Sequence, residues 1–262
     1  MNQSVDQSKT VFVTGASRGL GRAIAEAFAA DGYRVGVHCC HNRAAAEECL
    51  AALEGEGHAL VQGQIASPAE ARAVFADAVE RMDAIDVLVN NAGVYFDHPP
   101  LATSPDEWAQ AWDEMLGVNL LGPAWLSHAA ISHFRARGAL PAGRKSRGAI
   151  VNISSRGAYR GEPDAPAYGA AKAGLNSLTG SLAIACAPHA IHVYGIAPGW
   201  IETDMAAPYL AGEQGEAIRN QSPLRRVAEP AEIARIALFL ASDESTWMTG
   251  SVIDANGASY LR

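Results

Sequence analysis

A phenol and an ammonium stand four residues apart in Pro166-Ala167-Tyr168-Gly169-Ala170-Ala171-Lys172, and on a helix that spacing projects both from one face. A free tyrosine titrates at about 10, and a lysine charge beside it favours the phenolate. The pair therefore predicts an acid/base tyrosine usable near neutral pH. By itself a Tyr/Lys spacing of four is also common on solvated helices, so the rest of the chain must decide. A second constellation is Thr14-Gly15-Ala16-Ser17-Arg18-Gly19-Leu20-Gly21. Three glycines between an apolar run and an Ala-rich helical stretch permit positive φ and close ligand approach. They offer backbone N–H groups and a helix N-terminus to a pyrophosphate. The same residues spell G-x-S-x-G, which on a hydrolase would make Ser17 a nucleophile. Only fourteen residues precede Gly15, too few for the strands and oxyanion loop that such an elbow needs upstream.

His38-Cys39-Cys40-His41 carries the side-chain types that bind zinc. Strand alternation points His38 and Cys40 one way and Cys39 and His41 the other, so four adjacent residues do not close a tetrahedron, and no metal is expected.

The elements that must position these groups follow from pattern. Short β-branched runs alternate with Ala-rich helical segments, which predicts an α/β fold with parallel strands and crossover helices. Strands are expected at Thr10–Thr14, Arg34–His38, Val61–Ile65, Asp86–Val89, Ala149–Ile153, Ile191–Ile196 and Val252–Asp254. A helix is expected over Leu20–Ala30, ended near Gly32. Ser67-Pro68-x-Glu70 and Ser104-Pro105-x-Glu107 start two more, each with an N-cap, proline at N1 and glutamate at N3. Another begins near Pro166, and Arg135–Gly148 is read as a surface loop. The result is a Rossmann-type, doubly wound, seven-stranded, mostly parallel sheet with helices on both faces, in one domain.

The 262 residues carry a net charge of −8 with no long Lys/Arg block, which disfavours nucleic acid or an anionic membrane as partner and favours a small molecule. The polar start, residues 1–9, lacks a leader's apolar core and is expected to be a disordered tail. Four cysteines form no secreted framework in a chain this long, and no stretch is apolar enough to span a membrane. A cytoplasmic protein is expected.

In order along the chain, the TGxxxGxG turn, Asn90-Asn91-Ala92-Gly93, Asn119, Ser155 after a strand, YxxxK and Pro198-Gly199 resemble the short-chain dehydrogenase/reductase family over nearly the whole length. Bacterial 3-oxoacyl-(acyl carrier protein) reductases are the nearest general likeness. The resemblance implies hydride transfer between a nicotinamide and a carbonyl carbon, with Tyr168 giving or taking the proton. Lys172 would hold the ribose hydroxyls and lower the phenol's pKa, Ser155 would bind the carbonyl, and Asn119 would keep a water. Ser154 competes for the serine role. The family's spacing of thirteen before the tyrosine selects Ser155.

The implied cofactor contacts are Gly15, Ser17, Arg18, Gly19, Leu20, Gly21, Cys39, Asn42, Arg43, Gln64, Ile65, Asn91, Ala92, Gly93, Tyr168, Lys172, Pro198, Gly199, Ile201 and Thr203. NAD-using relatives end the second strand in an acid that binds the ribose. Here Cys39 stands there, no acid occurs from Val37 to Arg43, and Arg18 and Arg43 would meet a 2′-phosphate. NADP(H) is therefore favoured over NAD(H). Gln64 departs from the family's usual aspartate near the adenine.

A largely apolar mouth is expected from Tyr95, Phe96, Tyr159, Trp200, Met205 and Tyr209, with Ile201–Gly215 as a lid. Arg135, Arg137, Arg144, Lys145 and Arg147 could dock an acidic acyl carrier protein, or simply form a solvated basic loop. The family's habit implies a homotetramer, or a homodimer, through the helices near Pro105 and Pro166. A cofactor-sensing protein without chemistry is the competing reading, and the intact tyrosine, lysine, serine and asparagine oppose it.

Overall fold

The computed structural model describes residues 9–138, 140 and 143–262. The expected tail thus lies outside the described residues except Lys9, which is tied into the fold: its carbonyl accepts from Arg34 N at 2.9 Å. The strands are β1 Thr10–Val13, β2 Arg34–Cys39, β3 Ala59–Gln62, β4 Val87–Asn90, β5 Gly148–Ile153, β6 Ile191–Pro198 and β7 Val252–Ala255. They form a seven-stranded sheet in the order β3-β2-β1-β4-β5-β6-β7, and every pairing is parallel. The helices are α1 Gly19–Ala30, α2 Arg43–Ala52, α3 Pro68–Met82, α4 Pro105–Leu116, α5 Gly122–Ala136, α6 Gly157–Arg160, α7 Pro166–Cys186, α8 Gly212–Arg219 and α9 Pro230–Leu240.

Alternation along β1 sends Val11 and Val13 to one face and Phe12 to the other, and two separate core layers result. On the first face, α1 buries Gly21, Ile24, Ala25, Phe28 and Ala29, the spacing of a single helical stripe, and packs with α9. On the second, α3, α5 and α7 cover Phe12, Leu88 and Ile150. Ser67 and Ser104 cap α3 and α4 as their sequences require, Ser104 and Glu107 completing a reciprocal capping box. Among the described residues no helix is long and apolar enough to cross a membrane.

Two expectations need correction. The segment 135–148 is not all loop, since α5 runs to Ala136 and β5 starts at Gly148; Ala139, Pro141 and Ala142 lie outside the described residues. Its basic residues are also not all free. Arg137 and Arg144 each place Nη1 3.0 Å from Asp86 Oδ1, and Asp86 is 5 % exposed and also bound to Thr10 N and Oγ1. This cluster lies at the start of β4, whereas the main cavity opens where the strands end.

Candidate active site

A cavity of about 690 Å³ runs along the carboxyl ends of the strands, from the glycine turn to Tyr168 and Lys172. Gly15 and Gly19 have φ of 63° and 55°, conformations that favour glycine. A Cβ on Gly15 would come 2.9 Å from Ala92 Cα, and one on Gly21 would overlap the Gly15 carbonyl. Arg18 precedes α1 without capping it, so the first-turn N–H groups remain for a ligand.

Three side chains pin this turn. Thr14 Oγ1 accepts from Asn91 N and Ala92 N, both at 3.0 Å, and donates to Val89 O. Asn91 Nδ2 donates to Thr14 O at 2.9 Å and Gly15 O at 3.2 Å. His38 is the third: Nδ1 accepts from Gly15 N at 3.1 Å, so Nε2 carries the proton toward Gly63 O at 3.0 Å. Burial pushes its pKa down to about 4, against the pull of the Gly63 bond, and the ring is a neutral strut. Sequence reasoning considered this histidine only as a metal ligand.

Nearly all the expected cofactor residues line the cavity: Gly15, Ser17, Arg18, Gly19, Leu20, Gly21, Cys39, Asn42, Gln64, Ile65, Asn91, Ala92, Gly93, Tyr168, Lys172, Pro198, Gly199, Ile201 and Thr203. Arg43 is not among the lining residues; its Nε sits 2.8 Å from Glu47 Oε1, one turn along α2. The expected alternation of His38-Cys39-Cys40-His41 also fails past Cys39, where β2 ends. Cys40 Sγ and His41 Nε2 approach to 3.6 Å, and His41 meets Gln64 Nε2 at 3.2 Å. Among the described residues no cluster of three potential metal ligands occurs.

At the far end, α7 carries Tyr168 and Lys172 into the cavity. Lys172 is 4 % exposed; its Nζ donates to Ile153 O at 2.8 Å and lies 5.6 Å from the Tyr168 ring centroid. Burial lowers the lysine to about 8. The phenol moves the other way from the expectation: burial pushes it up to about 12, Ser155 hydrogen bonding pulls it down and Glu162 pushes it up again. Ser155 Oγ accepts from Gly157 N at 3.0 Å, leaving its proton to give. Ser154 spends its hydroxyl on Lys172 O at 3.3 Å.

Asn119 sits in a π turn, Gly117–Leu121, between α4 and α5; such insertions recur at functional sites. It is fully buried and pairs reciprocally with the Val94 main chain, accepting from N at 3.2 Å and donating to O at 3.0 Å. It therefore fixes the loop after β4 that follows Gly93. Behind it Asn90 Nδ2 bonds Asn152 Oδ1 at 2.8 Å across β4 and β5.

Of the aromatic mouth, Tyr95, Trp200 and Met205 line the cavity. Tyr209 stacks outside them on Tyr95 and Trp200. Phe96 packs on His98, and Tyr159 lies under the Arg262 guanidinium. The wall is also less apolar than expected, because Arg156, Arg160, Glu162, Glu114 and Asp204 all line it. From Ile201 to Ala211 the chain is turns, and α8 follows.

Comparison with known proteins agrees with this geometry. The family described as enoyl-(acyl carrier protein) reductase matches residues 15–257. The chain is 34 % identical over 256 residues to the 3-oxoacyl-[acyl-carrier-protein] reductase FabG of Staphylococcus aureus, covering 97 % of this chain and 99 % of that one. It is 38 % identical over 258 residues to an acetoacetyl-CoA reductase of Rhizobium meliloti, with the same coverage. The crystal structure of the angucycline C-6 ketoreductase LanV with bound NADP superposes with a TM-score of 0.82 at 33 % identity, covering 95 % of this chain and 94 % of that one. The chain belongs to the short-chain dehydrogenase/reductase family of oxidoreductases, which act on carbonyl and alcohol groups.

Proposed function

We propose that this protein interconverts a ketone and a secondary alcohol with NADP(H), Tyr168 exchanging the proton on oxygen, and that 3-oxoacyl thioesters are among its candidate substrates. One observation carries the reading. Tyr168, Lys172 and Ser155 line the same cavity as a glycine turn in which Gly15 and Gly21 admit no side chain. The fit to a dinucleotide rests on that cradle and on the continuous wall from Cys39 to Lys172. When bound, the nicotinamide supplies or takes the hydride.

Tyr168, held well above neutral by burial, carries its proton at working pH and can give it to the substrate oxygen. Ser155 aims a second donor at that oxygen. Lys172 keeps two protons beyond its bond to Ile153 O, which suit a pair of ribose hydroxyls. Asn119 lines the cavity beside them and, besides holding Val94, is assigned the water of the proton path.

The NADP(H) preference rests on the missing acid at Cys39 and on Arg18, since Arg43 is paired elsewhere. A ketone and 3-oxoacyl thioester panel run with NADPH and NADH in parallel tests it. NADPH is expected to win in kcat/KM by about tenfold or more, the worth of one charge-assisted hydrogen bond. Equal or faster turnover with NADH would overturn the cofactor assignment. Arg137 and Arg144 serve Asp86 at the opposite end of the strands from the cavity, which leaves Arg135, Lys145 and Arg147 of the basic segment to dock an acyl carrier protein, the partner suggested by the likeness to 3-oxoacyl-[acyl-carrier-protein] reductases. Association through α4 and α7 into a homotetramer or homodimer fits the exposure of Ile184 on α7, 81 %.

A further inference from the structure

Beside Ser155 the cavity wall turns charged. Arg156 follows Ser155 directly, is 4 % exposed, and lines the cavity. Its guanidinium donates to Ser259 Oγ and Gln221 Oε1, two neutral acceptors. Arg160, exposed at the end of α6, brings a second guanidinium to the same Gln221 oxygen at 3.5 Å. Among the described residues neither arginine has a carboxylate within ion-pair distance. Glu114 and Asp204 lie elsewhere on the wall and pair with neither.

Glu162 is the carboxylate that acts on Arg156, and both arginines act on it in turn. Its side chain lies across Gly157, where any Cβ would collide with it. Burial raises its pKa, Arg160 and Arg156 lower it, and Asp164 raises it. A guanidinium taken out of water needs a compensating charge or a full set of hydrogen bonds. Glu162 and Asp164 balance the two guanidiniums in number, but neither lies within ion-pair distance of them, so Arg156 and Arg160 keep donors for an anion on the wall that also presents Ser155 and Tyr168.

We infer that the substrate carries a carboxylate, seated against Arg156 and Arg160, so that this reductase acts on oxo acids and their hydroxy-acid products in preference to neutral ketones. The inference rests on the carbonyl-reductase reading and names its substrate class. The guanidinium fork matches a carboxylate's two oxygens, which no acid of the wall supplies at ion-pair distance. The carboxylate is a spectator: hydride still goes to the carbonyl carbon and the Tyr168 proton to its oxygen.

The test uses oxo acids paired with their methyl esters and NADPH, reading the acid-to-ester ratio of kcat/KM. The wild-type ratio is expected to exceed about ten. Arg160→Met should lower it about tenfold, Arg156→Met at least as much, and Glu162→Gln should raise it, since it removes the opposing charge. Arg160 is exposed, so its variant decides the matter even where Arg156→Met fails to fold. A wild-type ratio near one, a ratio unmoved in Arg160→Met, or the same direction of change in the arginine and Glu162 variants would overturn the inference. If no carbonyl compound is reduced at all, the reductase reading has failed. Calorimetric binding of the oxo acid to the protein with NADP+ then decides the anion site separately. Binding weakened about tenfold in Arg160→Met supports it, and no binding overturns it.

Discussion

Tyr168→Phe is expected to lower kcat/KM for ketone reduction by about a thousandfold, within the range that one positioned general acid contributes, with a far smaller change in dinucleotide affinity. The substitution removes one oxygen and keeps the ring. That ring packs edge-on against Tyr95 at 5.0 Å between centroids and begins the rigid first turn of α7, so the cavity should keep its shape. Ser155 would retain its bond from Gly157 and could still polarise the carbonyl, but no proton would be aimed at the developing alkoxide. Steady-state kinetics beside a fluorescence titration of NADPH separate the two effects. A variant that lost cofactor binding and turnover in equal measure would show the phenol to be a binding group.

The second large effect concerns Lys172 and pH. Burial lowers this ammonium to about 8, while the phenol is held up to about 12. Below about 8 the lysine is charged and the tyrosine protonated, which is the state that reduction requires. As pH rises through the lysine's pKa, the ammonium is lost well before the phenol titrates. The rate of reduction should therefore be level at neutral pH and fall above about pH 8. Lys172→Met should lie about a hundredfold below wild type at pH 7 and show no such fall. Lys172→Arg, charged throughout, should lose the fall while keeping part of the rate. A full pH profile of kcat/KM checks this. An unchanged alkaline limb in Lys172→Met would assign it to another group.

Local features of this fold were readable in advance where one segment carries its own physics. The apolar stripe of α1, the serine caps of α3 and α4, and the glycine turn between β1 and α1 each need only neighbours in sequence. Tyr168 and Lys172 were found the same way, by helical spacing. What stayed hidden depends on distant chain. His38 braces the phosphate turn only because Gly63, 25 residues on, supplies the second anchor. Arg43 is the local exception, since Glu47, its i,i+4 partner in the sequence, is where its guanidinium turns. The pKa direction of Tyr168 follows from burial, which spacing does not reveal; a neighbouring ammonium suggested a lowered value, whereas desolvation raises it and only the Ser155 bond pulls it down. The loop arginines likewise seemed free until Asp86, at the foot of β4, took two of them. Arg156 carried no signal beyond its place after Ser155.

All of this requires that a dinucleotide lie along the strand ends with its reactive carbon beside Tyr168. Turnover of a ketone with NADPH deuterated at the transferring position of nicotinamide C4 tests that placement directly. The account predicts an alcohol carrying deuterium on its carbinol carbon, with the hydroxyl proton drawn from solvent. Alcohol formed with solvent hydrogen at that carbon would contradict it.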